Sequence, residues 1–256
     1  MISVCIATHN GAHYIKEQIE SILCQLGTND EIIISDDGST DNTIDILLAF
    51  NDKRIIIYHY KQPVKSKHSH IYVCKNFENA LKHAKGDYIF LADQDDWWMP
   101  NKVEKCIEAL KYNILVVHRA EICDRDLNFE GQMLYKDNFV FNNFLSLKRG
   151  KYYGCTLAFR NELLNFILPF PKKLILHDQW IGCMAELKGS VFYERTPLLK
   201  YRLHGDNTSG GPSSNSVFFQ IWYRLYMFVH LIIRSKFDNV STMILNYGTR
   251  QETIKL

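Results

Sequence analysis

The 256-residue chain has no CxxC pair, no leader-like start, no internal repeat and almost no net charge. Its seven cysteines (5, 24, 74, 106, 123, 155 and 183) are scattered, several within expected strands or helices, and read as buried thiols of a reducing compartment. A formal charge of only +2 argues against a dedicated nucleic-acid binder. The chain enters a strand at once, without a basic region, an apolar signal core or a cleavage site, so a cytoplasmic location is expected. No clean membrane span is present either. The nearest candidate, VFFQIWYRLYMFVHLII at 217–233, is interrupted by Gln220, Arg224 and His230, and arginine at the centre of a span is costly.

What is present is an ordinary globular composition, 46% hydrophobic and 23% charged, long enough for one large domain or a domain with a helical appendage. The Gly/Ser-rich interval 208–216 is the best boundary, which gives a domain at 1–207 and a helical region at 208–256. Two readings stand for the last helix: burial against the preceding domain, or a place at a membrane surface. Its aromatics, Arg234 and Lys236 favour the surface, as does a surplus of six in the stretch 144–204, where ten Lys/Arg face four Asp/Glu.

The chain is organised around residues 89–100, IFLADQDDWWMP. Ile89, Phe90 and Leu91 read as a short buried strand, and Asp93, Asp95 and Asp96 sit where it leaves the sheet. Carboxylates packed this closely raise one another's pKa unless a cation neutralises them, so a D-x-D at a strand end suggests a hard divalent metal, Mg²⁺ or Mn²⁺. Mg²⁺ is commonly shared between carboxylates and substrate phosphates, which points to a diphosphate-bearing substrate. A solvated turn is the bland alternative. The strand before it, Trp97 and Trp98 after it, and the helix opened by Pro100 through Lys102, Val103, Cys106 and Leu110 weigh against that alternative.

From the start, residues 2–7 (ISVCIA) form an apolar run typical of a strand buried on both faces, ending at Thr8-His9-Asn10-Gly11. Ile15, Ile19, Ile22, Leu23 and Leu26 give an amphipathic helix, and residues 31–35 (EIIIS) a second strand running into Asp36-Asp37-Gly38-Ser39-Thr40-Asp41. In such strand-helix-strand units ligands bind beyond the carboxyl ends of the strands, which puts 8–10 and 36–41 on one rim. For Ser39 and Asp41, capping of the helix at 43–50 and ligand contact stay equally open; for the Asp36-Asp37 pair, ligand contact is favoured.

Residues 54–60 form a third strand, and the basic, irregular 62–71 is a candidate loop over the site. A helix follows with Asn76 near its start and Phe77, Ala80, Leu81 and Ala84 on its apolar face. Further strands are expected at 114–118, 120–126, 154–159, 190–193 and 198–202, with short helices at 161–167 and 181–187. His118 reads as structural, and Gly154 as a place for close backbone approach to a ligand. Asp178, in His177-Asp178-Gln179-Trp180, opens a helix where an aspartate is often a cap. His204 beside Arg202 suits a metal and a diphosphate.

The motifs IATHNG, DDGSTDNT, NFENALKHAKGDYIFLADQDDWW, GCTLAF, HDQW and YRLHGDN, in this order up to residue 207, resemble the family 2 glycosyltransferases, nucleotide-sugar enzymes of the GT-A fold. The resemblance implies an α/β Rossmann-like mixed sheet flanked by helices. It also implies an inverting, metal-dependent transferase that moves a sugar from a nucleotide-diphosphate donor to a hydroxyl of a glycan. By position it assigns Thr8, Asn10, Asp36, Asp37, Asn76 and Asp93 to the nucleotide, Asp95 and His204 to the metal, and Asp178 to the catalytic base. Asp96, Gly154, Trp180 and Arg202 fall near the diphosphate, the donor sugar or the acceptor. The HDxW and DQDDxW variants look most like the rhamnosyltransferase branch, with dTDP-L-rhamnose as donor and a lipid-linked surface glycan as a candidate acceptor. The chain departs from the family at His9, where tyrosine is common, and at His177, where glutamate is frequent. The rival classes are an inactive nucleotide-sugar-binding subunit and a sugar-nucleotide hydrolase or nucleotidyltransferase.

Overall fold

The computed structural model describes residues 1–62, 69–135, 152–205 and 216–248. The chain forms two compact units, Met1–Pro212 and Ser213–Leu256. Residues 63–68, the greater part of the expected loop over the site, lie outside the described residues, as does nearly all of the Gly/Ser-rich interval.

The first unit opens with β1 (Ile2–Thr8), α1 (Ile15–Leu23), β2 (Glu31–Asp36), α2 (Thr43–Ala49), β3 (Ile55–His59) and α3 (Ser69–His83). Then come β4 (Tyr88–Ala92), β5 (Trp97–Trp98), α4 (Lys102–Leu110), β6 (Leu115–Cys123) and β7 (Phe129–Met133). A 3₁₀ turn at Gly154–Thr156 leads into β8 (Leu157–Arg160), and a second at Asn161–Leu163 into α5 (Leu164–Ile167). α6 (His177–Lys188) and β9 (Val191–Arg202) complete the unit, and the second unit contains α7 (Val217–Gly248).

The strands form one mixed sheet in the order β3-β2-β1-β4-β8-β6-β9-β5, with β7 beside β6. β3, β2, β1 and β4 are parallel, β8 runs against β4 and β6, and β6 and β9 are parallel. Six of the seven residues of β1 are buried, as a strand covered on both faces requires. Ile15, Ile19 and Ile22 of α1 are fully enclosed against it, with Phe90, Trp98 and Leu199 in the same core. The register sets Thr8 level with Asp36, Asp36 level with His59, and Ile6 level with Ala92. The carboxyl ends of four parallel strands therefore form one rim, and Asp93 follows directly on Ala92.

Three boundaries differ from the sequence-based expectation. α3 begins at Ser69, because Cys74 carries the buried Phe77–Leu81 face one turn further back, so Asn76 lies mid-helix. The expected segments 190–193 and 198–202 are one strand: the β6–β9 register shifts between His118 and Glu121, and Pro197 is taken up at that irregularity. Gly154 belongs to a 3₁₀ turn, and β8 starts only at Leu157.

Candidate active site

Beyond β1 and β2, the predicted nucleotide contacts are tied together. The Thr8 hydroxyl donates to Gln94 Oε1 at 2.6 Å, which also accepts from the His9 backbone N–H at 3.0 Å. Gln94 is the middle residue of the D-x-D, so it fastens the acidic loop to the β1 loop. A Cβ on Gly11 would lie 2.5 Å from the same Oε1, which is why glycine stands there. Asn10, at φ 51°, donates its N–H to Ser39 Oγ at 2.9 Å and accepts from Thr40 N–H at 2.8 Å. Asp36 accepts from the Gly38 and Ser39 backbone N–H groups and from the Ser39 hydroxyl. Asp37 accepts from Gln62, and burial raises its carboxyl pKa. Asp41 accepts from Ala12 N–H and from Thr43 N–H at the start of α2, tying the β1 loop to that helix. Asn76 donates to the Thr8 carbonyl at 3.1 Å, and its buried Oδ1 has no partner among the described residues.

The acidic loop after β4 divides its carboxylates between two settings. Asp95 Oδ2 lies 2.8 Å from His204 Nε2, whose ring packs against Tyr14 with centroids 4.6 Å apart and the planes tilted by 31°. Asp93, Asp96 and Cys155 form a second set, with one donor atom from each within 4.8 Å of the others. Asp96 is fully enclosed; its Oδ1 accepts from the Arg202 backbone N–H at 3.0 Å, and its Oδ2 has no nitrogen or oxygen partner among the described residues. Burial and the neighbouring Asp95 and Asp178 charges push the Asp93 carboxyl up to about 7, and burial with Asp95 and Asp93 pushes Asp96 well above its ordinary range. The compensating cation in the protein, Lys102, is fully buried and 4.1 Å over the Trp98 ring, with Nζ donating to the Cys155 carbonyl at 2.9 Å. Carboxylates crowded this closely, one of them beside an imidazole nitrogen, fit a hard divalent cation, which would relieve their mutual repulsion.

Arg202 is buried, and all its guanidinium nitrogens face protein acceptors. Nε donates to the Asp95 carbonyl at 2.8 Å, Nη1 to the Arg125 carbonyl at 2.7 Å and Nη2 to Glu17 at 2.6 Å. In this geometry it braces the acidic loop, β9 and α1 together.

Asp178 stands in the first turn of α6. Its Oδ1 accepts from Gln179 N–H at 2.7 Å, yet burial outweighs that bond and lifts the carboxyl to about 7. Its charge is felt at Asp93, which puts both carboxylates in one electrostatic site. Trp180 is 0% exposed and its indole N–H donates to the Ile167 carbonyl at 3.0 Å, so it anchors α6 to α5 instead of facing a ligand. His177 is stacked on Phe77 at 4.3 Å, with Nδ1 3.8 Å from the Cys74 thiol. Burial raises the pKa of that thiol well above its ordinary value and keeps it protonated. A Cβ on Gly154 would lie 3.0 Å from His177 Nε2, so the glycine makes room for this imidazole.

Gln94, Cys155, Lys102 and Glu17 belong to the site but were not singled out in it from the sequence. A lysine among the apolar positions of α4 was the one available signal.

The profile of glycosyl transferase family 2 matches residues 3–168, from β1 through α5. The chain belongs to this family. Over 219 residues it is 30% identical to an uncharacterized glycosyltransferase of Rickettsia typhi, covering 82% of this chain and 66% of that one. It is 28% identical to the dTDP-rhamnosyl transferase RfbG of Shigella flexneri, over 80% of this chain and 73% of RfbG. It is 30% identical to the Escherichia coli UDP-Glc:alpha-D-GlcNAc-diphosphoundecaprenol beta-1,3-glucosyltransferase WfgD, over 82% and 79%. The chain thus spans about two thirds of the Rickettsia typhi protein, and only 31% of a Rickettsia bellii relative. Among solved structures, S. aureus TarS residues 1–349 with UDP-GlcNAc superposes with a TM-score of 0.64 at 19% identity, covering 83% of this chain and 62% of that one. The mannosyltransferase PcManGT of Pyrobaculum calidifontis with GDP-Man and Mn²⁺ gives 0.53 at 17%, over 77% and 54%. The family 2 fold is therefore the GT-A arrangement of a mixed sheet flanked by helices.

Proposed function

We propose that this family 2 chain is an inverting glycosyltransferase that uses a divalent metal and a nucleotide-diphosphate sugar to glycosylate a hydroxyl of a lipid-linked glycan. The observation that carries this reading is Asp178: a carboxyl held near neutrality, electrostatically coupled to the D-x-D loop. Thr8, Asn10, Asp36, Asp37, Asn76 and Asp93 frame the nucleotide, several of them by shaping the rim loops. Asp95 and His204 would hold Mg²⁺ or Mn²⁺, with Asp93, Asp96 and Cys155 adjacent. The ion would supply charge neutralisation on the departing nucleoside diphosphate. Asp178 takes the proton of the acceptor hydroxyl as its oxygen bonds to the anomeric carbon, and the anomeric C–O bond breaks with its electron pair leaving on the diphosphate. One base acting in a single displacement inverts the anomeric centre.

RfbG, WfgD and the PcManGT complex support the finer points by their names alone: a dTDP-rhamnosyl donor, a diphosphoundecaprenol-linked acceptor and Mn²⁺. The donor favoured here is dTDP-L-rhamnose, and the place of action is the cytoplasmic face of a membrane. Donor choice is tested by metal-dependent binding across dTDP-rhamnose, UDP-glucose and UDP-galactose. Tightest binding of dTDP-rhamnose is expected, and a preference for either UDP-sugar would overturn that choice.

A further inference from the structure

Helix α7 carries apolar side chains on two faces. Tyr223, Met227 and Leu231, spaced four apart, are buried, whereas Phe218, Ile221, Trp222, Leu225, Val229 and Ile232 are exposed, Phe218 to 88% and Leu225 to 59%. At 100° per residue this second set falls within a sector of about 100°, a continuous stripe more than four turns long. Exposed stripes of this size mark interaction surfaces. No described helix is long and apolar enough to cross a membrane, so the stripe is not one side of a span.

The charges on α7 decide between occupants. Between 218 and 236 the charged residues are Arg224, Arg234 and Lys236, with no acid among them. A second copy of the helix laid along the stripe would set like charges against like. An anionic bilayer would meet them with opposite charge, while Trp222 and Tyr226 suit the boundary between headgroups and acyl chains. We propose that α7 lies along the surface of an anionic membrane, with the 218–232 stripe at the headgroup–acyl boundary and the exposed Lys236, in line with that stripe, among the lipid phosphates. The proposal rests on the reading above only in that a lipid-linked acceptor gives the enzyme a reason to be there.

The test is co-sedimentation of the full chain, without donor or acceptor, with phosphatidylglycerol/phosphatidylcholine vesicles or phosphatidylcholine vesicles alone. The Leu225→Glu/Val229→Glu double variant is run beside it; both positions are solvent-facing, so the fold should tolerate the change. The wild type is expected to bind the anionic vesicles, with affinity at least about tenfold lower in the variant and a marked loss in about 0.5 M salt. As a second readout on an uncharged stripe, the emission difference between wild type and Trp222→Phe should shift to the blue when anionic vesicles are added. Three results would overturn the proposal: equal binding by both proteins, no wild-type binding at low salt, or a dimer in sedimentation velocity that the double variant dissolves. A chain that transfers sugar but ignores vesicles refutes the membrane site alone. One that binds vesicles but transfers no sugar refutes the transferase reading and leaves the membrane site standing.

Discussion

At pH 7 a carboxyl with its pKa lifted to about 7 is half ionised, and Asp178, the proposed base, could take a proton only in the ionised half. The turnover rate should therefore climb with pH to a midpoint near 7 and flatten above it. Asp178→Asn should lower the rate by about 10²-fold or more and abolish that midpoint, with donor affinity kept. A mutant that loses donor binding but keeps its saturated rate would make Asp178 a binding residue. The same shift has a stability consequence. The folded pKa lies above the unfolded one, so the folded state holds the extra proton between about pH 4 and 7. The stability of the metal-free wild type, measured against Asp178→Asn, should fall as pH rises through that window; a difference that is flat or rises would contradict the burial of this group.

Gly154 and His177 form a second residue-scale test. Gly154→Ala places a methyl 3.0 Å from His177 Nε2, and the ring, clamped by Phe77 and Cys74, has little room to yield. We expect Gly154→Ala to destabilise by about 1–3 kcal/mol, with most of that loss absent when His177→Ala is also present, as overpacking of one neighbour requires. Additive effects in urea unfolding would show that the two do not touch. Burial also drives His177 to about 3, so its ¹⁵N shifts should stay those of a neutral ring at pH 5.

Among the elements, α6 carries Asp178, the proposed base, and Trp180 fixes the helix. Trp180→Phe keeps an aromatic ring but removes the pyrrole half of the indole with its N–H bond to Ile167, so a loss of about 1–3 kcal/mol is expected, with nucleotide affinity unchanged. A nucleotide-binding defect without a stability loss would return Trp180 to the ligand surface. The elements legible in advance were those whose apolar pattern states their setting: β1, α1, β2 and β4 are buried runs or clean helical stripes. Strands stabilised by distant partners were not. β5 is two tryptophans paired with Lys200 and Leu199 about a hundred residues away, and β7 (FEGQM) has no apolar alternation and is mostly exposed. β9 reads from the sequence as two segments, 190–193 and 198–202, because the register shift against β6 that carries Pro197 within one strand is a property of the pairing. In the site, the order of the acidic motifs was visible because carboxylates at strand ends are conspicuous. The partners of Arg202, Gly154 and Trp180 depend on packing between segments far apart in sequence, which local pattern does not carry.

At the scale of the whole molecule, the sheet gathers its strand ends on one rim, beside an acidic loop that fits a cation and the buried Asp178 carboxyl, the proposed base, held near neutrality. The central claim is sugar transfer. The most direct measurement incubates the chain with an α- or β-configured nucleotide sugar and a glycan acceptor, with Mn²⁺ or with chelator, and reads the product and its anomeric configuration by NMR. The account predicts a lengthened acceptor of inverted configuration with metal, none with chelator, and none from Asp95→Ala with metal. Free sugar without a lengthened acceptor, retention of configuration, or full activity in chelator would contradict it.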